Sequence, residues 1–389
     1  MADLLARATG ILERLVAFDT TSHLSNLALI EWVEEYLSGH GVASRRVTNA
    51  DGRKANLLAT VGPNVEGGVV LSGHTDVVPV DGQPWTSDPF VLTRKGERLF
   101  GRGSSDMKGF LALALAAVPD LLAANVRRPA HLAFSYDEEI GCFGAPHMIK
   151  VIAAELPRPA LCVVGEPTMM QVVHAHKGVE AWRVTVNGHE AHSAQTHLGV
   201  SAIMQAAPLI AHLAALAQRL ELGADPASPF LPKHSTLTIG RLNGGTAANI
   251  LARECWFVFD LRSPPGVDNH AILAGFLALC AQTDAAIKAA WPDGGVKVEQ
   301  LSDVPAFAPE TDGAAEAFVR RLTGDNGPAS VASFASEAGQ FQQGGFSTIL
   351  CGPGSIDQAH QPDEYVDIAQ LERGADFMAR LVAELAQAG

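Results

Sequence analysis

The sequence predicts an α/β protein: a helix-covered sheet interrupted by an inserted α+β domain of order βαββαβ. Three observations carry this reading. Short, almost wholly apolar strands alternate with helices in the first part of the chain, as strands buried on both faces do. Between residues 178 and 304 the order changes to strand, helix, two strands, helix, strand. Most strands outside that stretch are followed by a loop rich in acids or histidine, where open α/β sheets bind their ligands.

Taken in order, Leu4, Leu5, Ile11, Leu12, Leu15 and Val16 recur at helical spacing, and helices extend to about residue 38. Residues 55–61 and 68–71 read as strands. Residues 107–124 read as a helix that Pro119 kinks or splits, because proline has no N–H and clashes with the preceding turn. Strands follow at 131–136, 161–164 and 348–351, and 371–386 is an amphipathic closing helix. Inside the insertion, 179–186 is a strand and 199–220 a helix. Strands 235–242 and 255–261 flank the Asn243-Gly244-Gly245 turn, with helix 268–289 and strand 296–301 after them. The expected domains are therefore 1–177 and 305–389, two parts of one domain, and the insertion 178–304.

With 389 residues, 47% of them hydrophobic, burying a substantial core is no difficulty. A net charge of −14 repels phosphate backbones, and no dense basic stretch reverses it, which argues against nucleic acid as a partner. The cysteine count is odd, five, with no Cys-x-x-Cys pair, which suggests buried, reduced thiols and a cytoplasmic setting. The N-terminus lacks the basic start and compact apolar core of a leader. The apolar stretch near 110–118 falls well short of the ~20 residues of a membrane span, so no membrane association is expected.

Five separate stretches each supply a hard-metal ligand type: Ser-Gly-His74-Thr-Asp76, Gly-Ser-Ser-Asp106-Met-Lys-Gly, Asp137-Glu138-Glu139, Gly-Glu166-Pro-Thr and Gln-Ala-His360-Gln-Pro. Two imidazoles and three carboxylates suffice for two divalent cations if one carboxylate bridges them. Asp106, between glycines and a helix start that it could also cap, is the candidate bridge. Asp76 is placed to accept the proton of the second His74 nitrogen and so orient the ring. Glu138 and Glu139 are adjacent and cannot both point the same way on a regular strand. One can ligate while the other takes the proton of a water whose pKa the metal has lowered.

His192, in Gly-His189-Glu-Ala-His192-Ser-Ala, lacks the His-Glu-x-x-His spacing of a helical zinc site. It is either a turn histidine or a donor to the oxyanion of a tetrahedral intermediate. Gly101-Arg-Gly103-Ser-Ser-Asp106 has Asp where a dinucleotide fingerprint needs its third glycine. There is no Gly-x-Ser-x-Gly elbow and no P-loop. On local grounds alone, Asn249 belongs to a hairpin region and Arg262 to a strand end.

These segments resemble the two-zinc amidohydrolase and exopeptidase family along essentially the whole chain. The residues that carry the likeness are Ser72–Pro79, Gly101–Gly109, Asp137–Glu139, Gly165–Thr168 and Ala359–Glu364. The resemblance implies a zinc-exopeptidase-like catalytic domain with a mixed sheet, and an inserted domain that serves as lid and dimerisation element. It implies Asp106 as bridge, His74 and Glu166 on one metal, Glu139 and His360 on the other, and Glu138 as general base, with a cis peptide after Asp106. It also implies that His192 reaches the active site of a second copy in a homodimer, that Asn249 and Arg262 bind substrate, and that Zn2+, or Co2+, fills the site. The stretch 351–365, with Ser336-Glu337-Ala338 upstream, looks most like members that deacetylate N-acetylornithine, with Glu337 expected to face the substrate's cationic amine. Desuccinylating and broad N-acylamino-acid-hydrolysing members would share every metal ligand. A catalytically silent metal- or metabolite-binding protein is the reading from another class.

Overall fold

The computed structural model describes residues 2–311 and 313–387. The chain forms two compact units. The first comprises Met1–Ala175, Phe307–Ser330 and Ser336–Gly389, and the second His176–Ala306 and Val331–Ala335. The insertion thus runs from 176 to 306 where the sequence suggested 178 to 304, and a short return at 331–335, which carries no sequence signal, joins it.

The central sheet of the first unit runs in the order Ser44–Thr48, Ala55–Val61, Ala130–Ser135, Val69–His74, Leu161–Val164, Thr348–Leu350, Val173–His176, ending on the boundary strand Ser330–Ala332. Four of these, Ala130–Ser135, Val69–His74, Leu161–Val164 and Thr348–Leu350, are mutually parallel neighbours. The flanking strands pair antiparallel, so the sheet is mixed. The parallel strands are buried along their whole length, which is why they read as unbroken apolar runs. Register aligns their carboxyl ends: His74 lies opposite Ser135, and Ser72 opposite Val164. The loops after these strands therefore open on the same edge.

Helix Lys108–Ala116 is buried at every position. Helices Ala2–Val16 and Ile368–Ala386 pack against it with their apolar faces. Pro119 falls at the start of a second helix, Val118–Ala123, so the predicted helix is split there. Asp106 does not cap it: Met107 holds the N-cap position, without a side-chain cap bond. The peptide between Asp106 and Met107 is cis. A small antiparallel sheet of Thr93–Lys95, Arg98–Phe100 and Tyr365–Asp367 went unseen in the sequence, since three-residue strands are too short to show a period. Helices Ala145–Glu155 and Ala314–Thr323 were not anticipated either.

The second unit is a four-stranded antiparallel sheet in the order Thr236–Gly244, Glu254–Ser263, Gly178–Asn187, Gly295–Val304. Helices Ala202–Leu222 and Asn269–Ala290 complete the βαββαβ order. The helix Asn269–Ala290 is long and apolar enough, by length and composition, to cross a membrane. Its Leu273, Phe276, Cys280 and Ile287 belong to the core of this unit, while Asp284 and Lys288 pair on its exposed side.

Gly165 shows how closely helix and strand ends approach. A Cβ there would overlap the ring of Phe110. Gly165→Ala is expected to cost about 1–3 kcal/mol through overpacking, measured by denaturant unfolding. Adding Phe110→Leu should recover part of that loss; an additive further loss would contradict the packing argument.

Candidate metal centre

Four remote segments meet beside the carboxyl ends of the parallel strands. His74 Nε2 lies 3.0 Å from Asp106 Oδ1. His360 Nε2 lies 3.4 Å from Asp106 Oδ2 and 3.0 Å from Glu139 Oε2. One carboxylate thus turns an oxygen to each imidazole. Ligand atoms of His74, Asp106 and Glu139 all fall within 4.8 Å of one another, a spacing suited to a metal ion. Glu166 is buried, and its Oε1 has no hydrogen-bond partner among the described residues. An orphaned buried carboxylate oxygen is costly, and a cation would satisfy it. The donor set of two imidazoles and three carboxylates therefore fits divalent metal.

Electrostatics agree with the geometry. Burial, then the neighbouring charges of Glu139, Asp106 and Asp76, push Glu138 up to about 8 against the pull of His74. Burial and Asp106 push Glu139 up to about 7. Burial, with Asp106 and Glu138, holds Glu166 well above the carboxylate range. Burial opposes charge on His74, but its bond to Asp106 and the surrounding carboxylates hold it well above its ordinary value. Bonds to Asp106 and Glu139 raise His360 to about 10. Burial works against ionisation of Asp106, yet the two imidazoles hold it below the usual range.

The backbone around the centre is unusual. Asp137, Cys142 and His360 all adopt positive φ, a conformation that costs non-glycine residues energy and recurs at functional sites. Asp137 is anchored by an ion pair with Lys54. Cys142 Sγ lies 3.3 Å from Glu138 Oε1 and donates to it. All five cysteines are free and buried.

Two expectations need correction. His74 Nδ1 bonds the backbone carbonyl of Asp76 at 2.9 Å, while the Asp76 carboxylate stays 3.8 Å away. That carboxylate instead accepts from Ser22 Oγ and from the N–H groups of Glu138 and Glu139, so it orients the acidic turn rather than the imidazole. Glu337 faces no open space. It is 1% exposed, and its two oxygens accept from Ser72 Oγ at 2.5 Å and Ser135 Oγ at 2.7 Å. It ties adjacent strands together just before His74 and Asp137. Sequence reading missed Ser22, Lys54, Ser72 and Ser135, because their partners are more than 50 residues away along the chain.

His192, Asn249 and Arg262 lie in the second unit. His192 and Asn249 come together there: His192 bridges to Ile250, and Ser193 N donates to Asn249 O. His192 Nδ1 accepts from Ala194 N at 3.1 Å, which leaves Nε2 to carry the ring proton. Arg262 Nε donates to Asp260 at 2.8 Å.

Fold and centre together are those of a metal-dependent hydrolase. The sequence model described as Peptidase family M20/M25/M40 matches residues 70–384, and the chain belongs to that family. An acetylornithine deacetylase from Proteus mirabilis is 36% identical over 94% of this chain and 92% of its own length. Among solved structures, an M20-family metallo-carboxypeptidase from Sulfolobus solfataricus superposes with a TM-score of 0.75 at 17% identity, covering 97% of this chain and 99% of that one. A dinuclear metal-binding M20 peptidase from Bacillus subtilis superposes at 0.64 and 13% identity, covering 99% of each.

The raised glutamates keep protons in the folded, metal-free protein that the unfolded chain releases near its ordinary carboxylate range. Their contribution is present at low pH and is lost as pH rises through about 7 to 8. The raised histidines act in the same direction, their contribution lost as pH rises towards about 10. Chelator-treated protein should therefore melt at falling temperature from about pH 6 to about pH 9. Added Zn2+ or Co2+ should raise the melting temperature more at the upper end, where protons no longer compete for the ligands. Equal metal-induced shifts across that range would contradict this electrostatic account.

Proposed function

We propose that this chain removes the acetyl group of N2-acetyl-L-ornithine, giving acetate and L-ornithine. The observation that carries the reading is the gathering of two imidazoles, Asp106, Glu139 and Glu166 beside a spare acid, Glu138. The full-length likeness to a relative named acetylornithine deacetylase supports the choice of substrate. Asp106 would bridge two divalent ions, His74 and Glu166 would hold one, and Glu139 and His360 the other. Bound there, the ions supply Lewis-acid polarisation of the acyl carbonyl and lower the pKa of a water towards neutrality. A mixed nitrogen and oxygen donor set suits Zn2+ best, and Co2+ also fits.

Glu138 takes the proton of the attacking water and returns it to the leaving amine. Burial raises its carboxyl in the metal-free protein, and bound cations would draw it back down towards the range in which it can accept a proton and then donate it. Asp76 holds the Glu138 and Glu139 amides, and so fixes where the base stands. His192, protonated at Nε2, is the proposed donor to the oxyanion, supplied by the second copy of a homodimer. Arg262 and Asn249 would hold the substrate's charged groups and orient the amide. Glu337 is better read as a brace between strands than as a substrate contact.

The dimer is supported by features of the second unit alone. Strand Thr236–Gly244 is a sheet edge with unpaired backbone groups. Beside it lies a cleft of about 650 Å³ lined by Ile203, Ala207, Ile210 and Leu242. Leu242 is 58% exposed and Met204 70%, which invites cover. In this reading the product serves arginine biosynthesis in the cytoplasm, where the free thiols stay reduced.

Glu138→Gln should retain metal uptake yet lose about 10²–10⁴-fold in kcat for N-acetylornithine. Unchanged turnover would remove Glu138 from the mechanism. A panel of N-acetylornithine, N-succinyl-diaminopimelate and N-acetylmethionine should give the highest kcat/KM for the first. Preference for either other compound would reassign the substrate within the family. Leu242→Glu should shift sedimentation from dimer to monomer, and an unshifted dimer would place the interface elsewhere.

A further inference from the structure

We propose that Glu364 is a positioning residue for the metal centre, clamping the loops that carry Asp106 and His360 into one piece. The inference rests on the metal-centre reading above. Tyr365 lies opposite Phe100 in the small sheet, and Gly101 N donates to Glu364 O at 2.9 Å. This sets the Glu364 side chain beneath the loop that runs from Gly101 to Asp106.

The carboxylate there is filled with donors. Oε1 accepts from Ser105 N at 2.9 Å and from Asp106 N at 3.0 Å. Oε2 accepts from Gly103 N at 3.1 Å and from Arg102 Nη1 at 2.7 Å. Both charged side chains are 1% exposed. The last donor on Oε1 is the amide of Asp106 itself, so Glu364 fixes the peptide from which the bridging carboxylate projects.

Arg102 carries the restraint to the other ligand. Its guanidinium lies over Trp85 with the centroid 5.0 Å away and donates to Gln361 O at 3.3 Å. Nη2 donates to Gln83 Oε1 at 2.5 Å, and Gln83 Nε2 donates to the carbonyl of His360 at 3.0 Å. Asp106 N and His360 O, from segments more than 250 residues apart, are thus held through one buried ion pair. Residues behind metal ligands, when removed, typically weaken metal affinity by about 10–100-fold. Glu364→Gln presents an N–H2 where two donors converge, so part of the cradle goes unsatisfied.

The test is calorimetric titration of Zn2+ into chelator-stripped protein. Wild type should take up two equivalents. Glu364→Gln should lose about 10–100-fold in affinity for both, since Asp106 serves both. Gln83→Met keeps the Arg102–Glu364 pair but removes the acceptor of Arg102 Nη2 and the donor to His360 O, and should weaken chiefly the equivalent that uses His360. A lower melting temperature with wild-type affinities in Glu364→Gln would show a purely structural role and overturn the proposal. Should that variant not fold, unaltered affinities in Gln83→Met would overturn it instead. Wild-type protein that takes up no divalent ion would bring down the metal reading itself, a different failure.

Discussion

Mutual repulsion among carboxylates packed into one hollow is the constraint to which the rest of this molecule answers. Burial makes each charge expensive, and neighbouring charges raise Glu138, Glu139 and Glu166 further. Two imidazoles offset part of this, which is why Asp106 alone is held low. Glu166 is left with an oxygen that nothing in the described chain satisfies. Such an arrangement is an incomplete electrostatic unit, and divalent cations are the species that complete it.

Holding repelling groups together needs rigid supports. The parallel strands provide the first, because their register aligns the loops after them on one edge. A second set of acids stands behind the ligands. Asp76 gathers the amides of Glu138 and Glu139, Glu337 braces Ser72 and Ser135, and Glu364 collects the amides leading to Asp106. Each occupies donors that would otherwise be unpaired in a buried setting. These supporting acids also add to the negative field, so structure and metal demand are coupled.

Much of the site was legible because each chemical group sits in a short motif, most of them in loops after apolar strands and Asp106 just before a helix. His74, Asp106, Glu139 and His360, singled out by residue type and place, come together in the fold. Asp76 and Glu337 were assigned from their neighbours in sequence, and both assignments missed. Asp76 lies two residues from His74, yet its side chain turns to amides more than 60 residues away. Glu337 follows a substrate-loop pattern but packs between strands. Side-chain direction within a loop depends on contacts that local sequence does not encode.

The sequence by itself determined the two kinds of layer, the α+β insertion and the inventory of candidate ligands, since periodicity and residue chemistry are local properties. It also carried the split at Pro119, where a missing N–H acts on its own turn. Only the tertiary structure decided which oxygen meets which nitrogen, which acids support rather than bind, and how Tyr365–Asp367 pairs with Arg98–Phe100. Those outcomes arise from groups far apart along the chain, whose meeting depends on the packing of everything between them.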